Sequence, residues 1–392
     1  MNAAGLGYSR DVNQNATPAA RLDRLEALLR SEPENLPLHR DCIELATRGG
    51  EFERALELID ARLARHPGEA ESLFARANAL IGLQRFEDAI AILKLLEEQG
   101  VAPVAVMQNL ATCHFALRQY ENVRAYGERL IAAGEKSADV LQLTISALHH
   151  LGEMDPALKL ADENAEAAAT HGRLAGTCAM IYLDMSKEQN AAKYAAVALA
   201  HDPDSLDGLL VQATLAGANL ESDQAFRQFS RVLELAPQFG RAWLGLGMLA
   251  TLAQDFVRAR ELLERATQLM PGHVGSWHAL AWAHFFSGDA AGAEKHFAHA
   301  LELDRNFAES HGAMAAMLAI RGERAAAERE IEIAERLDKD NMSSQFARAM
   351  LVAGSKGPEA ARDFIFGVVR AAATRFPEKA RGVIEKISAR QS

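Results

Sequence analysis

Small and apolar residues recur along this chain with a period of 34 residues. Five prolines, from Pro33 to Pro271, are separated by multiples of that number. Because proline ends helices, they mark recurring helix boundaries. A row of small residues lies twelve positions before each boundary: Ala55, Ala89, Val123, Ala157, Ala191, Ala225, Ala259, Ala293, Ala327 and Ala361. A second row lies twelve positions earlier: Ile43, Ala77, Ala111, Ile145, Ala179, Ala213, Gly247, Ala281, Ala315 and Ala349.

The two rows predict a pair of helices in every period. Two helices approach each other closely only where both carry small side chains, so each row marks one side of a helix contact. Between the rows lie turn residues such as Gly49, Gly50, Gly152, Gly288 and Gly322. Each period therefore consists of a first helix, a tight turn, a second helix and a short connection.

The seventh period shows the full pattern. Its residues in order are Trp243, Leu246, Gly247, Ala250, Phe256, Ala259, Leu263, Ala266 and Pro271. This order and spacing resemble the tetratricopeptide repeat family. The resemblance implies an all-α fold, a right-handed superhelical solenoid of about ten helix-turn-helix repeats with terminal capping helices. Local departures are Gly127 at a large apolar position, and Arg62 and Asn164 at positions where alanine is usual.

The same frame predicts the organisation of the chain. We expect a flexible N-terminal tail over 1–20, a capping half-repeat over 21–35, the ten-repeat solenoid over 36–375 and a C-terminal capping helix over 376–392. The final helix is predicted from the amphipathic spacing of Ala380, Val383, Ile384 and Ile387, and it would cover the last repeat.

One stripe of each first helix is not needed for the contact within the repeat. It comprises positions 2, 5, 9, 12 and 13 of each repeat, here called the open stripe. In the family this stripe lines the concave face of the superhelix, where partner segments bind. In the first four repeats it is largely polar, and Asn78, Gln108 and Gln142 suit hydrogen bonding to an extended backbone.

From the fifth repeat onward the open stripe becomes apolar. Its predicted partner-binding residues are Met180, Leu183, Leu210, Leu244, Met248, Leu252, His278, Trp282, Phe285, Phe286, Phe346 and Met350. Exposed together, they would form a larger apolar patch than a monomer normally carries, and aromatic residues with methionines are typical of helix-accepting grooves. Three alternatives stay open: a partner groove, packing between adjacent repeats, and occupation by the C-terminal tail.

Composition narrows the possible partners. The formal net charge is −11, which disfavours a protein that neutralises nucleic-acid phosphates. Cys42, Cys113 and Cys178 are far apart and odd in number, as expected in a reducing compartment. The sequence shows neither an export signal nor an apolar run long enough to span a membrane. We therefore expect a cytoplasmic protein without nucleic-acid partners or membrane insertion.

Candidate chemistry is weak. His296 and His299 lie one helical turn apart near His278, His284 and His311, but no cysteine or carboxylate completes a metal-ligand pattern. The pair His149 and His150 could make binding sensitive to pH. Asp202-Pro203-Asp204 falls at a repeat boundary, where such turn residues are expected. The cysteines fit interior helix positions, and no phosphate loop, zinc motif or nucleophile elbow appears.

The sequence therefore predicts a non-enzymatic scaffold or adaptor without cofactor or metal. We expect it to bind a hydrophobic or amphipathic segment of another protein along its C-terminal half. The alternative is an intracellular sensor that closes around a small peptide or metabolite. The identity of the partner does not follow from the sequence.

Overall fold

The described part of the computed structural model, residues 17–356, consists of 21 helices without a β-strand. The helices are α1 (Pro18–Ser31), α2 (Leu36–Arg48), α3 (Phe52–Leu63), α4 (Ala70–Gly82), α5 (Phe86–Glu98), α6 (Pro103–Ala116), α7 (Tyr120–Ala132), α8 (Ala138–His150), α9 (Met154–Glu163), α10 (Ala165–Thr170), α11 (Gly172–Asp184), α12 (Glu188–His201), α13 (Leu206–Ala218), α14 (Ser222–Leu235), α15 (Gly240–Leu252), α16 (Phe256–Leu269), α17 (Val274–Phe286), α18 (Ala290–Leu303), α19 (Ala308–Ile320), α20 (Arg324–Leu337) and α21 (Met342–Lys356). The chain divides into two compact units, with the boundary between Ile181 and Tyr182.

Successive helices pack as pairs, which confirms the predicted all-α repeat architecture. The small residues of the two rows lie at the pair contacts. Ala281 of α17 and Ala293 of α18 are fully buried, as are their counterparts Ala89, Ala191, Ala225, Ala259, Ala315 and Ala327. Because an alanine adds little width to a helix, these positions allow the close approach, roughly 8–10 Å between axes, that is typical of packed helices.

The turn inside each of the first nine repeats uses one backbone conformation whatever its sequence. Position 15 of the repeat has a positive φ, and it is a glycine in four repeats: Gly50, Gly152, Gly288 and Gly322. The same conformation is adopted by non-glycine residues at Gln84, Arg118, Ser186, Leu220 and Gln254. For an L-residue this conformation costs about 1–2 kcal/mol, which the flanking helix pair must offset.

The N-terminal half-repeat begins earlier than the predicted boundary at Arg21. The Thr17 hydroxyl accepts a hydrogen bond from the Ala20 amide, and Pro18 occupies the first helical turn, where its missing N–H costs nothing. Helix α1 therefore includes Pro18, Ala19 and Ala20, which the sequence analysis assigned to the tail. The second helix of the tenth repeat and the capping helix predicted over 376–392 lie outside the described residues.

Two departures from the repeat pattern have direct structural effects. Arg62 replaces a buried alanine, and its guanidinium donates two hydrogen bonds, of 2.9 and 2.8 Å, to the Glu69 carboxylate in the next connection. This pairing lowers the pKa of Glu69 to about 2. Asn164 interrupts the second helix of the fourth repeat, which becomes α9 and α10.

The tryptophan position of the repeat is anchored to the preceding connection. The indole N–H groups of Trp243 and Trp277 donate to the carbonyl oxygens of Pro237 and Pro271, at 2.9 and 2.8 Å. In the ninth repeat His311 occupies the same position, and its Nε2 lies 2.9 Å from the equivalent carbonyl oxygen of Arg305. A ring N–H pointing toward the preceding turn is therefore the shared requirement, and two side-chain types meet it.

Two first helices of the second unit carry mostly small residues on the open stripe. Helix α13 presents Gly217 and Ala218, and α19 presents Gly312 and Ala316. A Cβ added at Gly312 would lie 2.4 Å from the backbone nitrogen of Ser344, so α21 packs directly on the α19 backbone. A Cβ at Gly217 would meet its nearest neighbours at 3.9 and 4.0 Å, which is ordinary contact.

These two glycines predict opposite outcomes for the same substitution. Gly312→Ala should lower the free energy of unfolding by about 1–3 kcal/mol, because the α21 backbone cannot yield without shifting the helix. Gly217→Ala should leave it unchanged or raise it by up to about 1 kcal/mol, because alanine favours the helix. Urea unfolding followed by circular dichroism measures both. Equal destabilisation by the two variants would contradict this packing.

Candidate partner-binding surface

An apolar slot lies in the second unit above α13. Its floor is formed by Leu210, Thr214, Gly217 and Ala218, whose mostly small side chains leave a pocket of about 510 Å³. Its walls are Leu183, at the end of α11, and the α15 residues Leu244, Met248, Leu249 and Leu252. Behind α15, the Phe229 ring packs directly against Gly245, since a Cβ added at Gly245 would lie 2.3 Å from that ring. The slot therefore exists because α13 is narrow between two wide neighbours.

Charged and polar groups lie at one end of the apolar slot. Arg241, in the first turn of α15, donates hydrogen bonds of 3.2 and 2.8 Å to the two carboxylate oxygens of Asp184. His273, which precedes α17, lines the same pocket. Leu252 is the last residue of α15, eleven residues beyond Arg241 and therefore about 16 Å away along the helix. The slot is polar at the start of α15 and apolar at its end.

An aromatic cluster adjoins α17. It consists of Trp282, Phe285, Phe286, Phe297 and Phe346, together with the ring of His278. The Trp282 ring lies 5.5 Å from Phe286 and 5.6 Å from Phe346. Because α19 between them carries Gly312 and Ala316, rings from α17 and α21 meet across it. A shallow pocket of about 360 Å³ follows this cluster and includes Met342 and Glu309.

Hydrogen bonding sets the state of His278 inside this cluster. The Trp282 indole N–H donates to Nε2 of His278 at 2.8 Å, so the neutral ring carries its proton on Nδ1. No described residue accepts a hydrogen bond from that buried Nδ1. Burial lowers the pKa of His278 to about 4. The imidazole therefore acts as a neutral acceptor that orients the Trp282 ring.

The predicted apolar residues differ widely in exposure. Met248, Leu252 and Phe286 are 53%, 56% and 49% exposed. Leu183, Leu244, His278, Trp282, Phe285, Phe346 and Met350 are half-buried. Met180 and Leu210 are buried, at 7% and 2% exposed, so Leu210 contributes only to the floor of the slot. Packing between repeats therefore accounts for much of the aromatic cluster, while three large apolar side chains stay open.

The polar residues of the first unit also come close to one another. The Asn109 amide donates to the Asn78 side-chain oxygen at 2.6 Å. Gln108 and Gln142 line a pocket of about 340 Å³ with Thr112, Asp139 and Arg173. The Gln142 amide also lies 3.4 Å from the hydroxyls of Ser146 and Thr177. Amides, hydroxyls and two opposite charges thus face one polar pocket.

The remaining candidate groups have structural surroundings. His296 and His299 pack against Trp277, and burial is the main cause that lowers the pKa of His296 to about 4. Asp204 pairs with Arg231 at 2.9 Å. Burial raises the pKa of Cys42 and Cys113 to about 11 and of Cys178 to about 12. Among residues 17–356 no three metal-ligating side chains come together as a metal site.

The repeat pattern of the sequence does not reveal the polar end of the apolar slot. Arg241 and Asp184 occupy open-stripe positions, but they are 57 residues apart in the sequence. Because this separation is not a multiple of the 34-residue period, the repeat pattern does not predict their pairing. His273 precedes its helix and lies outside the stripe. The small residues Thr214, Gly217 and Ala218 were a usable signal, because consecutive small open-stripe positions predict a depression.

The state of His278 predicts a loss of stability in acid. Its folded pKa of about 4 lies below the ordinary value of 6.5, so between these values the unfolded chain binds a proton that the folded chain excludes. The free energy of unfolding should fall as the pH drops through this range. Urea unfolding at pH 7 and pH 4.5 measures the fall, and His278→Gln should reduce it. His201→Gln, at an exposed position, is the control, and an equal reduction there would contradict the assignment.

Two family models agree with the repeat architecture. One tetratricopeptide repeat family model matches residues 44–102 and 210–273, and a second matches residues 250–317. No curated protein matches the sequence. Among solved structures, the chain is similar to the crystal structure of an APC/C hetero-tetramer, Cut9-Hcn1, at 14% identity and a TM-score of 0.49 over 90% of each chain.

No helix between residues 17 and 356 combines the length and apolar character needed to cross a lipid bilayer. The matched segments fall in both compact units. The chain therefore contains tetratricopeptide repeats.

Proposed function

We propose that this protein is a non-enzymatic scaffold whose second unit binds an apolar or amphipathic segment of a partner protein. The observation that carries the proposal is the exposure of Met248, Leu252 and Phe286 on successive first helices. Met248 lies at repeat position 9, and Leu252 and Phe286 lie at position 13, beside the apolar slot and the aromatic cluster. Large apolar side chains grouped in this way mark interaction surfaces on soluble proteins.

The energetics require several of these residues to act together. Fully burying an exposed Leu, Met or Phe side chain contributes about 1.5–3 kcal/mol, whereas association costs roughly 4–15 kcal/mol. Because Met248, Leu252 and Phe286 are about half exposed, burying the remainder contributes about half of that figure each, and the three together only approach the lower end of the cost. The half-buried Leu244, Trp282 and Phe346 supply further contact area without first having to be ordered, since neighbouring residues already hold them.

The polar pocket of the first unit suits a different part of a partner. Gln108, Gln142 and Thr112 offer amide and hydroxyl groups that match the hydrogen-bonding groups of an extended backbone. We assign affinity mainly to the second unit, because neutral hydrogen bonds exchanged with water yield only about 0.5–1.5 kcal/mol each. The first unit would then contribute specificity.

A triple substitution tests the partner surface. Met248→Ser with Leu252→Ser and Phe286→Ser removes the exposed apolar side chains while leaving Trp282 and its acceptor in place. Affinity capture from the source cell with quantitative mass spectrometry should show at least a tenfold loss of proteins that the native chain enriches. Binding by the native chain should change less than threefold between 50 and 300 mM salt, because the contacts are apolar.

A matched control separates this surface from general stickiness. Phe226 and Val257 are 45% and 63% exposed, but they lie on the second helices α14 and α16. Phe226→Ser with Val257→Ser should keep the enriched proteins. If the control loses the same proteins as the triple variant, or if the triple variant retains them, the proposed surface is wrong.

A further inference from the structure

The polar end of the apolar slot presents hydrogen-bond donors whose protein acceptors are few. Arg241 uses two N–H groups on Asp184, and a guanidinium has five. Nδ1 of His273 accepts from the Ser276 amide at 3.1 Å, so the neutral ring carries its proton on Nε2. No described residue accepts a hydrogen bond from that Nε2. Burial, with a smaller contribution from Arg241, lowers the pKa of His273, so the ring is neutral at pH 7.

The carboxylate at this end is already paired with a cation. Each carboxylate oxygen of Asp184 accepts a hydrogen bond from Arg241, whose positive charge neutralises it, so a ligand cation would meet no net negative charge there. A ligand oxygen, by contrast, can use the remaining N–H groups of Arg241 and the Nε2–H of His273. The polar end therefore complements an acceptor, and an ionised one most strongly.

The rest of the slot has the size and composition of a small-molecule site. Its volume of about 510 Å³ falls within the roughly 300–1,000 Å³ of ligand pockets, which are mostly apolar with a few convergent polar groups. An α-helix is about 10–12 Å across and could place only a side chain there. A linear chain fits along Leu244, Met248 and Leu252, which follow one face of α15.

We propose that the apolar slot binds a linear aliphatic carboxylate, with the carboxylate at Arg241 and His273 and the chain extending toward Leu252. The inference goes beyond the proposed scaffold function, because it assigns a small-molecule site to the second unit. Met248 and Leu252 belong to both surfaces, so a bound carboxylate would change the surface that a partner meets.

Three probes with the same tail test the choice of head group. Decanoate, decanol and decyltrimethylammonium are titrated into the full chain at pH 7, below their micellar concentrations, by isothermal calorimetry. Decanoate should bind at least tenfold more tightly than decyltrimethylammonium and several-fold more tightly than decanol. Methionine methyl NMR, with the Met248 signal assigned from Met248→Leu, should show that signal shifting with decanoate.

Substitutions at the two ends of the slot make the test specific. Arg241→Gln should weaken decanoate binding at least tenfold, and Asp184→Asn should strengthen it several-fold by releasing donors. Arg231→Gln, at an arginine paired with Asp204 away from the slot, should have no effect. Ala218→Phe should block binding from the exposed edge of the floor, whereas Ala116→Phe, at the same repeat position of the third repeat, should not.

The outcomes separate this inference from the scaffold proposal. Equal affinity for the anionic and cationic probes, absence of binding by all three, or unchanged decanoate affinity in Ala218→Phe would each overturn the carboxylate site. Circular dichroism melting establishes that Ala218→Phe and Arg241→Gln are folded. Phe286→Ser, outside the slot, should leave decanoate binding unchanged while it contributes to the loss of partner capture. Failure of one result with success of the other therefore identifies which proposal is wrong.

Discussion

The close contact between small residues on paired helices is the constraint on which this fold depends. Ala281 of α17 and Ala293 of α18 are fully buried, so no large side chain keeps the two helices of this pair apart. The ring of Trp243 or His311 then fixes the first helix of its repeat to the connection that precedes it, through a hydrogen bond to a carbonyl oxygen there. A charged residue at another position where alanine is usual needs a partner, as the pairing of Arg62 with Glu69 shows.

Much of the fold could be predicted because its cause repeats in the sequence. The alanine rows and the turn glycines predict helix pairs wherever they occur. The positive φ of Gln84 and Leu220 could not be predicted from their residue type, because the surrounding helices impose this conformation on them. The candidate site was predicted less completely. The open stripe identified Met248, Leu252 and Phe286, but exposure depends on the width of the neighbouring helix, which explains why Leu210 is buried.

Helices α13 and α19 show how one sequence feature leads to two surfaces. Both carry small residues on the open stripe. Above α19, the rings of Trp282 and Phe346 are long enough to meet, and they close most of the space. Above α13, the flanking residues Leu183, Leu244 and Met248 are not aromatic, and they line an open slot of about 510 Å³. The size of the flanking side chains therefore decides whether a narrow helix becomes core or binding site.

The pairing of Arg241 with Asp184 also affects the elasticity of the second unit. In a repeat array each repeat ordinarily contacts only its neighbours, so an imposed extension is distributed over all the contacts between repeats. The Arg241–Asp184 ion pair connects α15 with α11, two first helices that are separated by an intervening repeat. It should therefore limit the relative motion of α11, α13 and α15, so that extension of the second unit occurs mainly in the other repeats.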